Sequence, residues 1–281
     1  MVILPLLLAV ALVAALGWRR HLRNQPPPPS QLSLQLAAEM TGSYFQPEGA
    51  VFRLPYRLYV PVDLQAGRKY PLVVYLHGAG DNGDENLRQL GPAVAELINL
   101  SRTGEPAFIL VPQAPWGRNW VRVPGPPYLN YSQQAIPESD AIRQTRALVA
   151  QLPDLYPIDP DRLYALGFSA GAAGTWDLLT RTPSGLFAAA AMLSGAFDPS
   201  RAALVSAMPL WFFHGGDDTT SPYTTTYSTV EALRKAGGAP RYTLYPGVGH
   251  DTTGSAFRDG VYGWLLSQRH SAWGSREARS P

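Results

Sequence analysis

The sequence predicts an α/β fold in which helices flank a mostly parallel central sheet. Short apolar runs typical of strands alternate with helical patterns along one continuous stretch, and this alternation indicates a parallel sheet covered on both faces. Several runs are apolar throughout, as expected of central strands buried on both sides. The chain has 281 residues, of which 46% are hydrophobic. This content is enough for one large core, which we place in residues 32–268.

The first 18 residues predict a signal peptide or a membrane anchor. Val2–Gly17 is apolar except for Pro5, and its length lies between that of a signal-peptide core and that of a spanning helix. Small residues at Ala15 and Gly17 favour cleavage, whereas no Lys or Arg precedes the run. As an anchor, the segment would keep its arginine-rich flank in the cytoplasm. We therefore expect an exported or membrane-anchored protein in which residues 2–17 contact the membrane.

The regions flanking the folded part are polar or stiff. Residues 19–31 predict a basic and proline-rich linker, in which Pro26–Pro29 forms an extended spacer. Residues 269–281 predict a polar tail. The net charge of +2 is too small for a nucleic-acid surface. Because the chain has no cysteine, disulfides, thiol catalysis and Cys-ligated metal are excluded.

The secondary-structure elements can be assigned in chain order. Leu32–Tyr44 predicts either a strand, from its alternating leucines, or a short packing segment. Phe52–Val60 reads as an edge strand in which Pro55 is tolerated. Residues 112–137 are rich in proline and aromatic residues without periodicity, which predicts a long loop. Since no gap between strands would house a large cap, we expect an open site. Buried strands are predicted at Leu72–Leu76, Phe108–Val111, Leu163–Leu166, Phe187–Leu193 and Leu210–Phe213, and a last strand at Arg241–Tyr245. Helices are predicted at Glu85–Leu100, Ser139–Leu152, Ser221–Lys235 and Ala256–Leu266, and after the strand that ends at Leu166.

The clearest chemical motif is Gly167-Phe168-Ser169-Ala170-Gly171, which follows a strand and precedes a helix. In this context G-x-S-x-G predicts a nucleophile elbow, a strained turn that projects the serine hydroxyl above the sheet. A Cβ at either glycine would collide with neighbouring backbone. The turn also places the Ala170 N–H at a helix N-terminus, where it can stabilise negative charge. Ser169 is therefore the candidate nucleophile.

A serine nucleophile needs a base within hydrogen-bond reach, and the chain has five histidines. His21 lies in the basic linker and His270 in the tail. His77 and His214 each follow a strand and precede glycine, where an imidazole more often ties loop backbone together. His250 lies in a glycine-rich loop after the last strand, at the edge of the sheet where ligands bind in α/β proteins. His250 is the predicted base.

The acid that orients the base should follow a strand between Ser169 and His250. Asp177 lies two turns into a helix and Glu231 lies mid-helix, so both are poor candidates. Asp198, Asp217 and Asp218 each follow a strand. We favour Asp218, which would fix the tautomer of His250 and stabilise its imidazolium. Asp217 and Asp198 remain alternatives.

Backbone donors and pocket walls complete the predicted site. Acyl transfer requires donors for the tetrahedral oxyanion, and His77-Gly78-Ala79-Gly80 supplies bare backbone after a strand beside the elbow. Ala79 N–H and Ala170 N–H are the predicted pair. Four aromatic residues of the long loop could wall the substrate pocket or cover the edge of the core. They are Trp116, Trp120, Tyr128 and Tyr131.

Several segments together resemble the α/β-hydrolase esterases related to prolyl-oligopeptidase-type and polyhydroxybutyrate-depolymerase-like enzymes. Pro71–Asn86 resembles the opening strand and loop of that family, and Tyr156–Tyr164 resembles the approach to its elbow. His214–Pro222 resembles the family's acid loop, whose aspartate lies four residues after the histidine and so corresponds to Asp218. Gly249-His250-Asp251 resembles its histidine loop. The resemblance spans about Leu54 to Leu266, with departures at Ala170, Ala172, Asp81 and Asn82.

The resemblance implies an α/β-hydrolase fold and a serine hydrolase that cleaves small-molecule or polymeric carboxylic esters through an acyl-enzyme. It implies no metal and no organic cofactor. A peptidase or an acyltransferase would use the same residues on a different leaving group or acceptor. A non-catalytic, anchored binding domain is the alternative from another functional class.

Overall fold

The computed structural model describes residues 28–122, 131–181 and 185–273, and its strands form one eight-stranded sheet. The strand order is β1-β2-β4-β3-β5-β6-β7-β8. β1 and β2 are antiparallel to their neighbours, and β3 to β8 run parallel. The strands are Thr41–Phe45 (β1), Leu54–Tyr59 (β2), Tyr70–Leu76 (β3), Phe108–Pro112 (β4), Ile158–Phe168 (β5), Ala189–Leu193 (β6), Leu210–Gly215 (β7) and Arg241–Tyr245 (β8).

Helices cover both faces of this sheet. Alternate residues of β3 point to opposite sides, with Leu72 and Val74 in one hydrophobic cluster and Val73 and Tyr75 in the other. The first face packs on α3, α4 and α5, and the second on α1, α2, α6 and α7. The helices are Gln31–Glu39 (α1), Pro92–Thr103 (α2), Asp140–Leu155 (α3), Ala170–Arg181 (α4), Thr224–Lys235 (α5), Thr253–Arg258 (α6) and Val261–Leu266 (α7). This architecture is the predicted α/β-hydrolase fold.

The parallel strands bring their carboxyl ends to one edge of the sheet. β5 lies in the interior of the sheet and ends at Phe168, between β3 and β6. β7 ends at Gly215, beside the end of β8 at Tyr245. The loops that follow these strands therefore meet at one edge, where open α/β sheets bind their ligands.

The N-terminal part of the folded region differs from the prediction. Residues 31–39 form a helix, not the strand expected from alternating leucines, because Leu36 and Leu32 pack on the core one turn apart while Leu34 is exposed. Thr41–Phe45 then forms the edge strand of the sheet. β2, which was predicted to lie at the edge, is consequently paired on both sides.

The helix predicted at Glu85–Leu100 begins only at Pro92. Asn86 adopts a positive φ of 58°, and its side-chain amide donates to the carbonyls of Ser43 and Tyr56. These two bonds tie Asn86 to β1 and β2, so the chain around Asn86 forms a loop instead of the first turns of a helix. The helix then starts after Gly91, with proline at its first turn, where the missing N–H has no intrahelical acceptor to lose.

The helix predicted at Ala256–Leu266 is two helices, separated at Gly260, whose φ is 81°.

The polar tail predicted from residue 269 is wrong at its start. The Trp273 side chain is 4% exposed and belongs to the core, and its Nε1–H donates to the Ala188 carbonyl over 2.9 Å. The N–H groups of His270 and Ser271 bond to Asp161. A single buried indole therefore extends the folded domain beyond its predicted end.

We expect Trp273→Ala to lower the free energy of unfolding by about 3 kcal/mol, because it removes a buried aromatic side chain and its hydrogen bond. Urea titration followed by circular dichroism measures this change. Trp116→Ala is the matched control, since Trp116 is 49% exposed, and we expect it to change stability by less than about 1 kcal/mol. Equal losses in the two variants would contradict the role assigned to Trp273.

The apolar run Val2–Gly17 lies outside the described residues, so the signal peptide or anchor stays a prediction. In the described ranges, no helix is both long and apolar enough to cross a bilayer.

Candidate active site

Ser169 occupies a sharp turn between β5 and α4. Its φ is 54°, a left-handed conformation that is unfavourable for a residue with a side chain. Both flanking glycines are required by space: a Cβ on Gly167 would lie 2.2 Å from the Gly171 carbonyl oxygen, and a Cβ on Gly171 would lie 1.9 Å from the Leu76 carbonyl oxygen. The Ser169 N–H donates to the Leu193 carbonyl over 2.8 Å. The backbone thus holds the serine at the carboxyl end of the central strands.

Three side chains predicted from the sequence meet at this point. His250 Nε2 lies 2.8 Å from Ser169 Oγ, and His250 Nδ1 lies 2.7 Å from Asp218 Oδ2. With the proton on Nδ1, the imidazole donates to the carboxylate and accepts from the serine hydroxyl. The ring of Phe168 packs 5.2 Å from that of His250, centroid to centroid. This order of contacts lets the imidazole take the serine proton while the carboxylate stabilises the resulting imidazolium.

Asp218 is held as an anion by the loop that carries it. Its Oδ1 accepts the N–H groups of Thr220 and Ser221 over 2.8 and 2.9 Å. Burial by itself raises the pKa of this carboxyl, but the Ser221 N–H and His250 outweigh that effect and lower the pKa below its ordinary value. Asp218 therefore remains charged where it faces the imidazole.

The other acidic candidates lie elsewhere. Asp217 is exposed, and its N–H donates to the Val248 carbonyl. Asp198 is buried and accepts the N–H groups of Gln133 and Ser200. Asp177 is fully buried and paired with Arg181 on the same helix. Of the three aspartates that the sequence left open, the structure places only Asp218 beside His250.

The predicted oxyanion donors lie beside Ser169. A Cβ on Gly78 would be 3.7 Å from Ser169 Cβ, so the turn that begins at Ala79 borders the elbow. Ala170 is the first residue of α4. Within the described ranges, neither the Ala79 nor the Ala170 N–H has a hydrogen-bond acceptor. Two backbone donors next to the serine are the groups that a tetrahedral oxyanion requires.

Trp120, predicted as a substrate-binding residue, belongs to the scaffold of the site. Its side chain is 1% exposed, and its Nε1–H donates to the His77 carbonyl over 2.9 Å. A Cβ on Gly174 would lie 2.6 Å from Trp120 Cβ, so the indole packs directly on α4. It is therefore too deeply buried to wall an accessible pocket, and instead holds the backbone that leads into the Gly78–Gly80 turn.

The remaining aromatic candidates have different surroundings. Trp116 is half exposed, with the guanidinium of Arg88 5.3 Å from its ring centroid. Tyr131 is partly buried against the core, and burial together with the nearby Asp177 raises the pKa of its hydroxyl. Tyr128 lies outside the described residues. Trp116 is thus the candidate of this group that the structure leaves accessible.

His77 and His214 are both fully buried and bonded to backbone, as expected from their positions. His77 Nδ1 donates to the Gly78 carbonyl and its Nε2 accepts the Ala114 N–H. Burial lowers the pKa of His77 to about 4, so the ring stays neutral. This neutral tautomer ties the end of β3 to the loop after β4 and so positions the Ala79 turn.

Sequence reasoning missed the residues that hold the His250 loop. Ser194 follows β6 with a φ of 53°, nearly the value at Ser169, and its hydroxyl lies 2.9 Å from that of Thr252. Gly215 packs against the same loop, since a Cβ there would lie 2.0 Å from the Gly249 carbonyl oxygen. The Leu193-Ser194-Gly195 sequence after a buried strand was the available signal for this second strained turn.

In the portion of the chain that the structure describes, no three His, Asp or Glu side chains come together as metal ligands. The arrangement of Ser169, His250 and Asp218 allows an imidazole to activate a hydroxyl group as a nucleophile.

The chain is similar in sequence to known proteins. Residues 60–260 match the phospholipase/carboxylesterase family of α/β-hydrolases. The carboxylesterase SOBER1 of Arabidopsis thaliana is 28% identical over 200 residues, which cover 63% of this chain and 82% of that protein.

Solved structures show the same architecture. A thermostable esterase superposes with a TM-score of 0.72 at 30% identity over 84% of this chain, and the chain spans 64% of that esterase. Dipeptidyl peptidase 4 of Porphyromonas gingivalis has a TM-score of 0.61 at 16% identity, covering 82% of this chain and 35% of that protein. At this identity, the likeness to the dipeptidyl peptidase is one of fold alone.

Proposed function

Because this chain belongs to the phospholipase/carboxylesterase family of α/β-hydrolases, we propose that it hydrolyses carboxylic esters through a Ser169-His250-Asp218 triad and an acyl-enzyme. The observation that carries the proposal is the continuous hydrogen-bond chain through His250, with 2.8 Å to Ser169 and 2.7 Å to Asp218. The names of the carboxylesterase and the thermostable esterase to which the chain is similar support esters as the substrate class.

In the first half of the reaction, Ser169 Oγ attacks the ester carbonyl carbon while His250 Nε2 takes the hydroxyl proton. The carbonyl oxygen becomes an oxyanion, which accepts hydrogen bonds from the Ala79 and Ala170 N–H groups. As the intermediate collapses, the C–O bond to the alcohol breaks, and His250 gives its proton to the leaving oxygen. The products of this half are the free alcohol and the acyl-Ser169 ester.

The second half repeats the chemistry with water. His250, neutral again, takes a proton from a water molecule that attacks the acyl carbon. Collapse of this second intermediate returns the proton to Ser169 Oγ and releases the carboxylic acid. Asp218 keeps Nδ1 protonated throughout, so that Nε2 always faces the reacting oxygen.

The proposal is tested by labelling the full-length protein with a fluorophosphonate, which reacts with activated serines, and by assaying short-chain nitrophenyl esters. We expect one adduct, on Ser169, and ester turnover that stops when labelling is complete. Ser194 is an internal control because it shares the positive φ but its hydroxyl is buried against Thr252. A folded protein that is neither labelled nor active would overturn the proposal and leave the non-catalytic binding domain as the better reading.

The same preparation separates an esterase from a peptidase. Matched nitroanilides present the same acyl group with an amine leaving group, and we expect turnover of the ester to exceed that of the anilide by several orders of magnitude. Comparable rates on the two substrates would favour the peptidase alternative.

A further inference from the structure

The carboxylate of Asp218 contacts two histidines. Its Oδ1 accepts the Thr220 and Ser221 N–H groups, and its Oδ2 faces His250 Nδ1 at 2.7 Å and His214 Nε2 at 3.1 Å. Two oxygens thus receive four donors, which fills the acceptor capacity of a carboxylate. The second histidine occupies the last acceptor position beside the one that His250 uses.

The protonation state of His214 follows from its neighbours. Nε2 lies 2.6 Å from the Ser221 carbonyl oxygen as well as 3.1 Å from Asp218, and both of these are acceptors only, so Nε2 carries a proton. Nδ1 lies 2.7 Å from Thr226 Oγ1, whose single hydrogen can point either to Nδ1 or to the Gly195 carbonyl 2.9 Å away. Donation to Nδ1 is the arrangement that suits a neutral ring. Burial lowers the pKa of His214, although the Ser221 carbonyl and Asp218 act in the opposite direction. The ring is therefore neutral, with its one N–H shared between the Ser221 carbonyl and Asp218.

We propose that His214 is a positioning residue for the proton relay: its Nε2–H restrains the Asp218 carboxylate and draws charge from the oxygen that binds His250. The inference rests on the proposed function, because it assigns a role within the Ser169-His250-Asp218 triad. A carboxylate held from two sides cannot rotate away from His250 during the reaction. A partly neutralised carboxylate also binds the imidazolium less tightly, so that His250 returns its proton to the leaving group more readily.

The surroundings limit which charges can contribute to this effect. The titratable group that faces His214 directly is Asp218, and His250 lies beyond it. The elements packed on the ring supply neutral groups: the Ser221 carbonyl from the acid loop and the Thr226 hydroxyl from α5, which also contacts the Gly195 carbonyl after β6. His250 in turn faces Asp218, the Ser169 hydroxyl and the Phe168 ring. A change at His214 therefore reaches His250 through Asp218.

The test compares His214→Phe with His214→Gln in the full-length protein. Phenylalanine fills the site without a donor, whereas the glutamine amide can donate near the position of Nε2. For His214→Phe we expect kcat on a nitrophenyl ester to fall about 10- to 100-fold, well short of the ~10⁴-fold loss caused by disabling a triad aspartate. KM should change by less than about threefold. The acid limb of the kcat/KM profile should move to higher pH, because the unshared carboxylate favours the imidazolium, and His214→Gln should restore most of the rate.

Two results would overturn the role. One is a His214→Phe enzyme with wild-type kcat and an unchanged pH profile. The other is an equal loss in the Phe and Gln variants with the acid limb in place, which indicates a merely structural histidine. If His214→Phe does not fold, Thr226→Val and His214→Gln carry the test, since Thr226→Val loosens the ring without touching Asp218. Wild-type labelling of Ser169 separates the two proposals: without it the proposed function fails, whereas with it only the role of His214 is in question.

Discussion

Ser169→Ala is expected to lower kcat for ester hydrolysis by about 10⁴-fold or more, the largest loss of activity that we predict for a single substitution. The substitution removes the atom that attacks the ester, and neither His250 nor the two backbone donors can replace it. The residual rate should come from water positioned by the same groups. Steady-state kinetics with a nitrophenyl ester, together with loss of the fluorophosphonate adduct, measures the effect.

The fold should survive this change. The Ser169 side chain bonds to His250 and the backbone of the elbow is held by the Leu193 carbonyl, so we expect unfolding by urea to shift by less than about 1 kcal/mol. Ser228→Ala is the matched control, because Ser228 is an exposed helix residue whose hydroxyl bonds only to the Thr225 carbonyl among the described residues. It should retain wild-type kcat. Substantial ester turnover by a pure Ser169→Ala protein would contradict the assignment of the nucleophile.

Gly171→Ala is expected to give the largest loss of stability, about 3 kcal/mol or more in the free energy of unfolding. The added Cβ would lie 1.9 Å from the Leu76 carbonyl oxygen and 2.6 Å from that of His77. Both atoms belong to the backbone at the end of β3, so relief requires α4 to move away from the sheet. Because α4 begins directly after Ser169, this movement should also reduce kcat. Urea unfolding and ester kinetics of the same preparation measure both effects.

Gly263→Ala provides the matched control for that substitution. Gly263 lies within α7, and a Cβ there would meet no atom within 4 Å. Alanine is favoured over glycine in a helix, so this variant should be unchanged or more stable by up to about 1 kcal/mol. A Gly171→Ala protein as stable as Gly263→Ala would show that α4 does not pack on β3 as closely as described.

The geometry of the candidate site was predictable because it depends on local chemistry and on chain order. The elbow motif combines glycines, serine and a strand–helix boundary within five residues, and each feature follows from the space around one turn. His250 and Asp218 could be selected because both follow strands of a parallel sheet, and parallel strands must bring their carboxyl ends to one edge. His214 was read as a loop-binding histidine, and its contact with Asp218, four residues later, was not inferred from the spacing of the two residues.

The wrong predictions concern residues whose structure is decided by burial in the folded protein and not by the pattern of neighbouring residues in the sequence. Leu32, Leu34 and Leu36 suit a strand and a helix equally well, and packing of Leu36 on the core selects the helix. Trp120 looked like its neighbours in an aromatic loop, yet its side chain is buried against Gly174 of α4 and bonded to the His77 carbonyl. Trp273 follows polar residues and was assigned to a tail, although its side chain is buried and its Nε1–H bonds to the Ala188 carbonyl.

By itself, the sequence determined the alternation of strands and helices, the G-x-S-x-G turn and the order of the three proposed triad residues, since these depend on periodicity, on the conformations that glycine permits and on chain order. The tertiary structure alone decided which aromatic side chains are core and which are accessible, that Trp273 belongs to the core, and which groups share the carboxylate of Asp218. These properties depend on contacts between residues far apart in the chain, and such contacts exist only once the sheet and helices have packed.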